Sequence, residues 1–296
     1  MVRLSRVVLL GGSGFIGRHL QTRLRAEDVE VLSFSSAQLD LCAEDVSQQL
    51  ASRIDKEDSV VFLAAVTPDK GRDAHTQLKN LKMGENVCAF FEKNACAHLV
   101  YLSSDAVYAE GLPLIRESSP CDPGSLYGLA HLMRERMLTE ALKKNGMPLM
   151  ILRPSIVYGM GDTHRSYGPN RFFHTALNEE KITLFGNGEE KRDHVYVRDL
   201  CELLHACLFS RSHGILNAAT GHGISFGDVA LQIQKLFGGR LKIETTSRAN
   251  PVTHRHFDVT GLAKMFPRFQ WTPLQKGLAE TYHAISKTRR SRVPVA

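Results

Sequence analysis

Along the first half of the chain the apolar positions alternate between two spacings. Residues 7–10 are a continuous apolar run, short enough for a parallel strand buried on both faces, and Phe15, Ile16, Leu20 and Leu24 then recur as the inward stripe of a helix. The same pair of signals returns at residues 29–34 and 46–54, at 60–65 and 78–91, and at 99–102 and 126–142, with a further strand at 147–152. Strands alternating with helices predict right-handed crossovers and a parallel sheet covered on both sides. The second half is less regular. Residues 153–170 are rich in Gly, Pro and polar side chains and too long for a simple connection, which marks them as functional. Helical spacing resumes at 199–209, 226–237 and 274–285, with short strands at 182–185 and 215–217. The expected architecture is α/β, a doubly wound parallel sheet of about seven strands drawn from residues 1–153 and about 192–219. A smaller C-terminal lobe is expected from about 154–191 and 220–286.

Composition removes several classes. With 43% hydrophobic residues the chain can bury an ordinary globular core, which excludes a disordered polymer. The net charge of +6 suggests a nucleic-acid surface at first, but Lys287, Arg289, Arg290 and Arg292 lie in the last ten residues, where there is no acid. The remainder is nearly balanced, so neither nucleic acid nor a membrane is an expected partner. Residues 287–296 read as a basic, disordered tail. Cys42, Cys88, Cys96, Cys121, Cys201 and Cys207 form no Cys-x-x-Cys pair, which predicts free thiols in a reducing compartment and no metal site. The apolar run after Arg3 and Arg6 is cut short by Gly11 and Gly12, too early for a signal-peptide core. No stretch reaches the roughly 18 apolar residues of a membrane span. The expected location is cytoplasmic.

Gly12-Ser13-Gly14-Phe15-Ile16-Gly17 follows the first strand and opens the first helix. Glycines there permit a tight turn and let the backbone approach a pyrophosphate, whose charge sits at the helix N-terminus. Gly11, Gly14 and Gly17 resemble the Gly-x-x-Gly-x-x-Gly fingerprint of the extended short-chain dehydrogenase/reductases, the family of nucleotide-sugar epimerases, dehydratases and reductases. Other segments resemble that family in the same order. Asp40-Leu41 is similar to its adenine-contacting pair, and Phe62-Leu63-Ala64-Ala65 to the strand end over the cofactor. Residues 101–108, which hold Ser103 and Ser104, resemble the catalytic-serine strand, and Tyr127-Gly128-Leu129-Ala130-His131 sits where Tyr-x-x-x-Lys belongs. Arg153-Pro154, residues 184–188 and residues 192–197 resemble the substrate half. The resemblance implies a dinucleotide-binding domain, a substrate-binding lobe, and a homodimer built on the helices around 78–91 and 126–142.

The departures from the family pattern concern charge. Where an acid would accept the ribose hydroxyls of NAD, the chain has Ser33, Ser35 and Ser36, which removes repulsion against a 2′-phosphate and inclines the choice between NAD and NADP towards NADP. His131 replaces the lysine that holds the nicotinamide ribose and lowers the pKa of the tyrosine. A cation there is worth about 4 kcal/mol at 4 Å and an effective dielectric of 20. A neutral imidazole forfeits this, whereas an imidazolium retains it. Oxidising an alcohol needs Tyr127 as base, but reducing a ketone needs it as acid. His131 therefore either biases the enzyme towards reduction or works as a protonated stand-in.

The resemblance also implies the remaining roles. Ser104 would orient the substrate oxygen for Tyr127, and Asp105 sits where sugar dehydratases carry an acid, although the Glu that follows it there is Ala106 here. Arg192 and Arg255 would hold the diphosphate of a nucleoside diphosphate sugar, a task suited to a fixed donor fork. Asn170, Leu184 and Phe185 would line the nucleotide pocket. The expected function is hydride transfer between NAD(P) and a nucleotide-linked sugar, by a reductase or an epimerase, with a lean to keto-sugar reduction. The rival is a non-catalytic dinucleotide-binding scaffold or redox-sensing module of the same fold.

Overall fold

A computed structural model describes residues 4–163, 168–249 and 251–290. The apolar runs become strands because alternate side chains meet helices on opposite faces. In β1 (Arg6–Leu10), Val7 and Leu9 enter one core while Val8 and Leu10 enter the other. The chain continues through α1 (Phe15–Arg25), β2 (Glu30–Phe34), α2 (Val46–Ala51), β3 (Ser59–Phe62), α3 (Ala74–Phe91), β4 (His98–Leu102), α4 (Leu126–Lys143) and β5 (Leu149–Pro154). Beyond these come β6 (Ile156–Tyr158), α5 (Gly168–Glu179), β7 (Lys181–Phe185), β8 (Lys191–Arg192), β9 (His194–Tyr196), α6 (Val197–Ser210) and β10 (Gly214–Ala218). The last elements are β11 (Ile224–Ser225), α7 (Phe226–Leu236), β12 (Lys242–Thr246), α8 (Thr260–Met265) and α9 (Leu274–Arg290).

The main sheet has six strands in the order β10-β5-β4-β3-β1-β2, all paired in parallel. Apolar residues of α1 and α6 join the core on one face, and those of α2, α3 and α4 the core on the other. This is the doubly wound arrangement, with the change of winding direction between β1 and β3. A crevice opens there at the carboxyl ends of the strands.

Six strands replace the expected seven because the expected strand at 182–185 forms β7 and pairs with β12 outside the main sheet. Within the stretch 153–170, read as one long loop, β6 forms and pairs with β9, and α5 begins at Gly168. Two further pairs, β7 with β12 and β8 with β11, also lie outside the main sheet. The expected strand 60–65 stops at Phe62, and beyond its carboxyl end Leu63 and Ala65 line the crevice. The tail reading needs correction as well. α9 continues to Arg290, and the Arg289 guanidinium donates to the Leu177 carbonyl at 2.7 Å. The rest of the expected tail lies outside the described residues. Among the described residues no helix is long and apolar enough to cross a membrane, and no group of three or more His, Cys, Asp or Glu could hold a metal ion.

Candidate active site

β4 ends at Leu102, and the chain passes through Ser103 and Ser104 into a 3-10 turn over Asp105–Val107. The Ser104 hydroxyl caps that turn by accepting the Ala106 amide at 3.2 Å. α4 starts against it, capped in the same way by Ser125, whose hydroxyl accepts the Gly128 amide at 3.1 Å. Gly128 is required by the close approach of the two backbones, since a Cβ at this position would stand 2.1 Å from the Ala106 carbonyl oxygen. Tyr127, in the first turn of α4, is thereby set beside Ser104. Both line a cleft of about 420 Å³ together with Ile16, Ala65, Asp105 and His131.

His131 lies one turn further along α4 and is 2% exposed. Its Nδ1 shares a 2.6 Å hydrogen bond with the Tyr101 hydroxyl, its ring stacks on that of Tyr101, and its edge meets Tyr127 with centroids 4.6 Å apart. Burial, with the Arg134 guanidinium adding to it, holds the His131 pKa well below the usual imidazole value. The ring is therefore neutral at neutral pH. This burial works against the protonated stand-in considered from sequence. Next to this stack is a second network, in which Glu135 binds Arg153 through both carboxylate oxygens, at 2.9 and 2.5 Å, and accepts the Ser103 hydroxyl at 2.5 Å.

The glycine loop fits a dinucleotide. Gly14 occupies the N-cap of α1 without a side-chain cap, so the first amides of the helix are left for an anion. A Cβ on Gly12 would stand 2.0 Å from Ser33 Oγ, which ties the loop to the end of β2. Phe15 and Ile16 line the cleft, while Ser13 lies exposed at the loop tip with its carbonyl held by Arg18 at 2.6 Å. The Ser35 hydroxyl donates to Gln38 at 2.9 Å, Ser36 is exposed, and Asp40 accepts the Cys42 amide at 2.9 Å. The Leu41 carbonyl is held by Asn86 at 2.8 Å and the Ala64 carbonyl by Arg134 at 2.8 Å.

A second cavity, of about 340 Å³, adjoins the cleft and shares Asp105, Ala106 and Ile156 with it. Arg192, Arg255, Leu184, Phe185, Glu190 and Phe226 are among the residues around it. Arg255 reaches back to the Asp105 carbonyl at 2.6 Å and to its carboxylate at 3.2 Å. Burial raises the Asp105 pKa, and the charges of Arg255 and Arg192 oppose the rise. Arg192 is held by the Thr253 carbonyl and, at 3.1 Å, by the Thr253 hydroxyl.

A continuous glycine cradle and a serine and a tyrosine facing one cleft are features of a family, and the sequence matches one. The profile of the NAD dependent epimerase/dehydratase family covers residues 7–219. The chain belongs to that family. Among its relatives, UDP-glucuronic acid decarboxylase 1 of Xenopus tropicalis is 25% identical over 95% of this chain and 72% of its own. The dTDP-4-dehydro-6-deoxyglucose reductase of Escherichia coli is 25% identical over 75% of this chain and 79% of its own. The UDP-glucose 4-epimerase of Thermus thermophilus, solved in complex with NAD, superposes with a TM-score of 0.84 at 23% identity, covering 97% of this chain and 100% of that one. The family thus joins epimerases, dehydratases and reductases of nucleotide sugars.

Of the residues singled out for their family resemblance, the structure gathers Phe15, Ile16, Ala65, Ser104, Asp105, Tyr127 and His131 around one cleft. It gathers Leu184, Phe185, Arg192 and Arg255 around the other cavity. Asn170 is placed differently from expectation. It lines the cleft rather than the second cavity, with its amide nitrogen on Asp162 and its oxygen accepting the Gly159 amide. Three residues were missed by sequence reasoning, namely Arg134, Glu135 and Arg171, and Tyr101 was read only as part of the serine strand. Arg171 stacks over the Phe185 ring at 5.2 Å. Glu135 could have been suspected as the acid facing Arg153, but a helical Arg134 reads from sequence as a solvated charge.

Proposed function

We propose that the protein transfers hydride between NAD(P) and a nucleoside diphosphate sugar, in the direction that reduces a keto sugar. The reading rests mainly on one observation, that the cleft beside the glycine loop and the cavity edged by Arg192 and Arg255 meet at Asp105 and Ala106. A diphosphate in the second cavity leaves its sugar at Ser104 and Tyr127. NAD(P) would lie over the glycine loop with its pyrophosphate at the N-terminus of α1, and when bound it supplies or accepts the hydride. Ser104 orients the sugar oxygen, and Tyr127 exchanges a proton with it. The neutral His131 adds no charge of its own at Tyr127, and a protonated Tyr127 is the form that donates to a keto sugar.

The absence of an acid at the end of β2 supports NADP over NAD. The exposed apolar side chains of Leu78, Leu126, Leu129 and Met133 on α3 and α4 support a homodimer through that face. Incubation with a panel of nucleotide sugars and 4-keto sugars, with NADPH absorbance and product configuration followed together, tests the reading. A reductase oxidises one NADPH for each product, whereas an epimerase returns its hydride internally. Cofactor binding without turnover across the panel would return the chain to the scaffold reading. Arg192→Ala and Arg255→Ala should each raise the substrate KM by about tenfold or more, the value of a charge-assisted hydrogen bond, with cofactor affinity unchanged.

A further inference from the structure

We propose that Arg134 supplies the fixed positive charge that acts on the Tyr127 phenol, the part that the resemblance assigns to a lysine at position 131. The proposal rests on the reading of Tyr127 as the proton-transfer group and names the residue that tunes it. Arg134 follows Tyr127 by seven residues and His131 by three on α4, so the three share one side of the helix. It is 0% exposed. Its guanidinium has one hydrogen bond, from Nη2 to the Ala64 carbonyl, and lies over the rings of Phe62 and Tyr101 at 4.1 and 5.0 Å. Nε and Nη1 have no hydrogen-bond partner. Space for the side chain is built into the neighbouring helix, because a Cβ on Gly84 of α3 would stand 2.7 Å from Arg134 Cγ.

No acid among the described residues forms an ion pair with this cation. Glu135, the next residue, is occupied by Arg153. Cys88 of α3 is pushed up to about 12 by burial, Cys42 is raised for the same reason, and the buried Tyr101 of β4 is raised as well, so these three face Arg134 uncharged. His131 is neutral, and the field of Arg134 helps to keep it so. Burial lowers the Arg134 pKa, and Tyr101 and Tyr127 oppose that, so the guanidinium and the Tyr127 phenol act on each other. Other charged groups on the cleft are Arg72, Asp105, paired with Arg255, and Asp162, bonded by Asn170. An arginine stays protonated even when buried, and a buried unpaired cation is costly to the fold. A phenol that is neutral at rest and anionic in turnover compensates that charge only when the chemistry requires it. The effect serves either direction of hydride transfer. A lower Tyr127 midpoint leaves more phenolate at neutral pH to act as base in oxidation, and makes the phenol a stronger acid for reduction while the midpoint stays above neutral pH.

Tyr127 can be titrated without substrate or cofactor, from the tyrosinate absorbance of wild type minus that of Tyr127→Phe between about pH 6 and 11. A midpoint at least about one unit below the ordinary phenol value of about 10 is expected. Arg134→Met, whose unbranched stem follows the same path over Gly84, should raise it by at least about one unit, while Arg72→Met leaves it in place. A wild-type midpoint at or above about 10 overturns the proposal, as does an unchanged midpoint in folded Arg134→Met. If Arg134→Met does not fold, wild type in high salt decides. A depressed midpoint that persists in about 1 M salt reports a buried cation, and one that returns to the ordinary value assigns the effect to an exposed group such as Arg72. Failure of the sugar panel bears on the proposed reaction alone, since this titration uses no substrate.

Discussion

Two buried arginines lie on the α4 side of the sheet, Arg134 over the rings of Phe62 on β3 and Tyr101 on β4 and Arg153 on β5 itself, and their surroundings differ. Arg153 is bound by Glu135 through both oxygens, and Glu135 in turn accepts the Ser103 hydroxyl. Arg134, on the same helix as that Glu135, has two aromatic faces and one carbonyl and no carboxylate. The first arrangement is closed, because every charge in it is answered at all times. The second is open, with a stack running from Arg134 through Tyr101 and His131 to Tyr127 at the cleft. The contrast teaches that burial of a charge alone does not identify its purpose. What identifies it is whether the answering charge is permanent.

The contrast can be broken at either end. The largest effect is expected at the open one. Tyr127→Phe should lower turnover by about 10²–10⁴, the usual worth of a positioned acid or base, with NADPH affinity by fluorescence titration changed less than about threefold. Turnover within about tenfold of wild type would remove Tyr127 from the chemistry. Next comes the closed network. Glu135→Gln leaves Arg153 buried without its counterion and should cost about 3–5 kcal/mol in urea unfolding, whereas Arg134→Met should cost less than about 1.5 kcal/mol because it removes an uncompensated cation. Equal losses would show that the two arginines are alike. The smallest effect is on pH dependence. The folded His131 pKa is depressed, so between that value and about 6.5 the unfolded chain binds a proton that the folded one refuses. Stability therefore falls as pH drops below about 6.5, by up to about 1.4 kcal/mol per unit for each such histidine. His98, lowered to about 4, and His194, lowered to about 3, contribute in the same sense. His131→Gln should reduce the slope by up to its own share, and an unchanged slope would place a proton on His131 in the folded state.

Much of the first half was legible because strands buried on both faces leave continuous apolar runs and helices leave stripes. β1, β2, β4 and α3 lie within a few residues of their expected positions. The second half was less so. β8 and β11 are two residues each, and β12 is largely exposed, so neither apolar runs nor alternation announces them. α5 begins Gly-Pro-Asn, which reads as turn rather than helix. Among site residues, the glycine loop and the pairing of Ser104 with Tyr127 carry signatures along the chain. The Tyr101–His131–Arg134 stack does not, because it joins a strand to a helix across 30 residues of sequence and draws its meaning from burial that no local pattern records. Asn170 was assigned to the wrong cavity for a similar reason, since its direction is set by Asp162 and Gly159.

The contact between Gly128 and the Ala106 carbonyl has a consequence for how the protein tolerates change. The spacing of Ser104 and Tyr127 is set where two main chains touch, with no side chain between them to shrink, swell or adopt another rotamer. At residue 128 a single added carbon would force the two main chains apart and with them the cleft's serine and tyrosine.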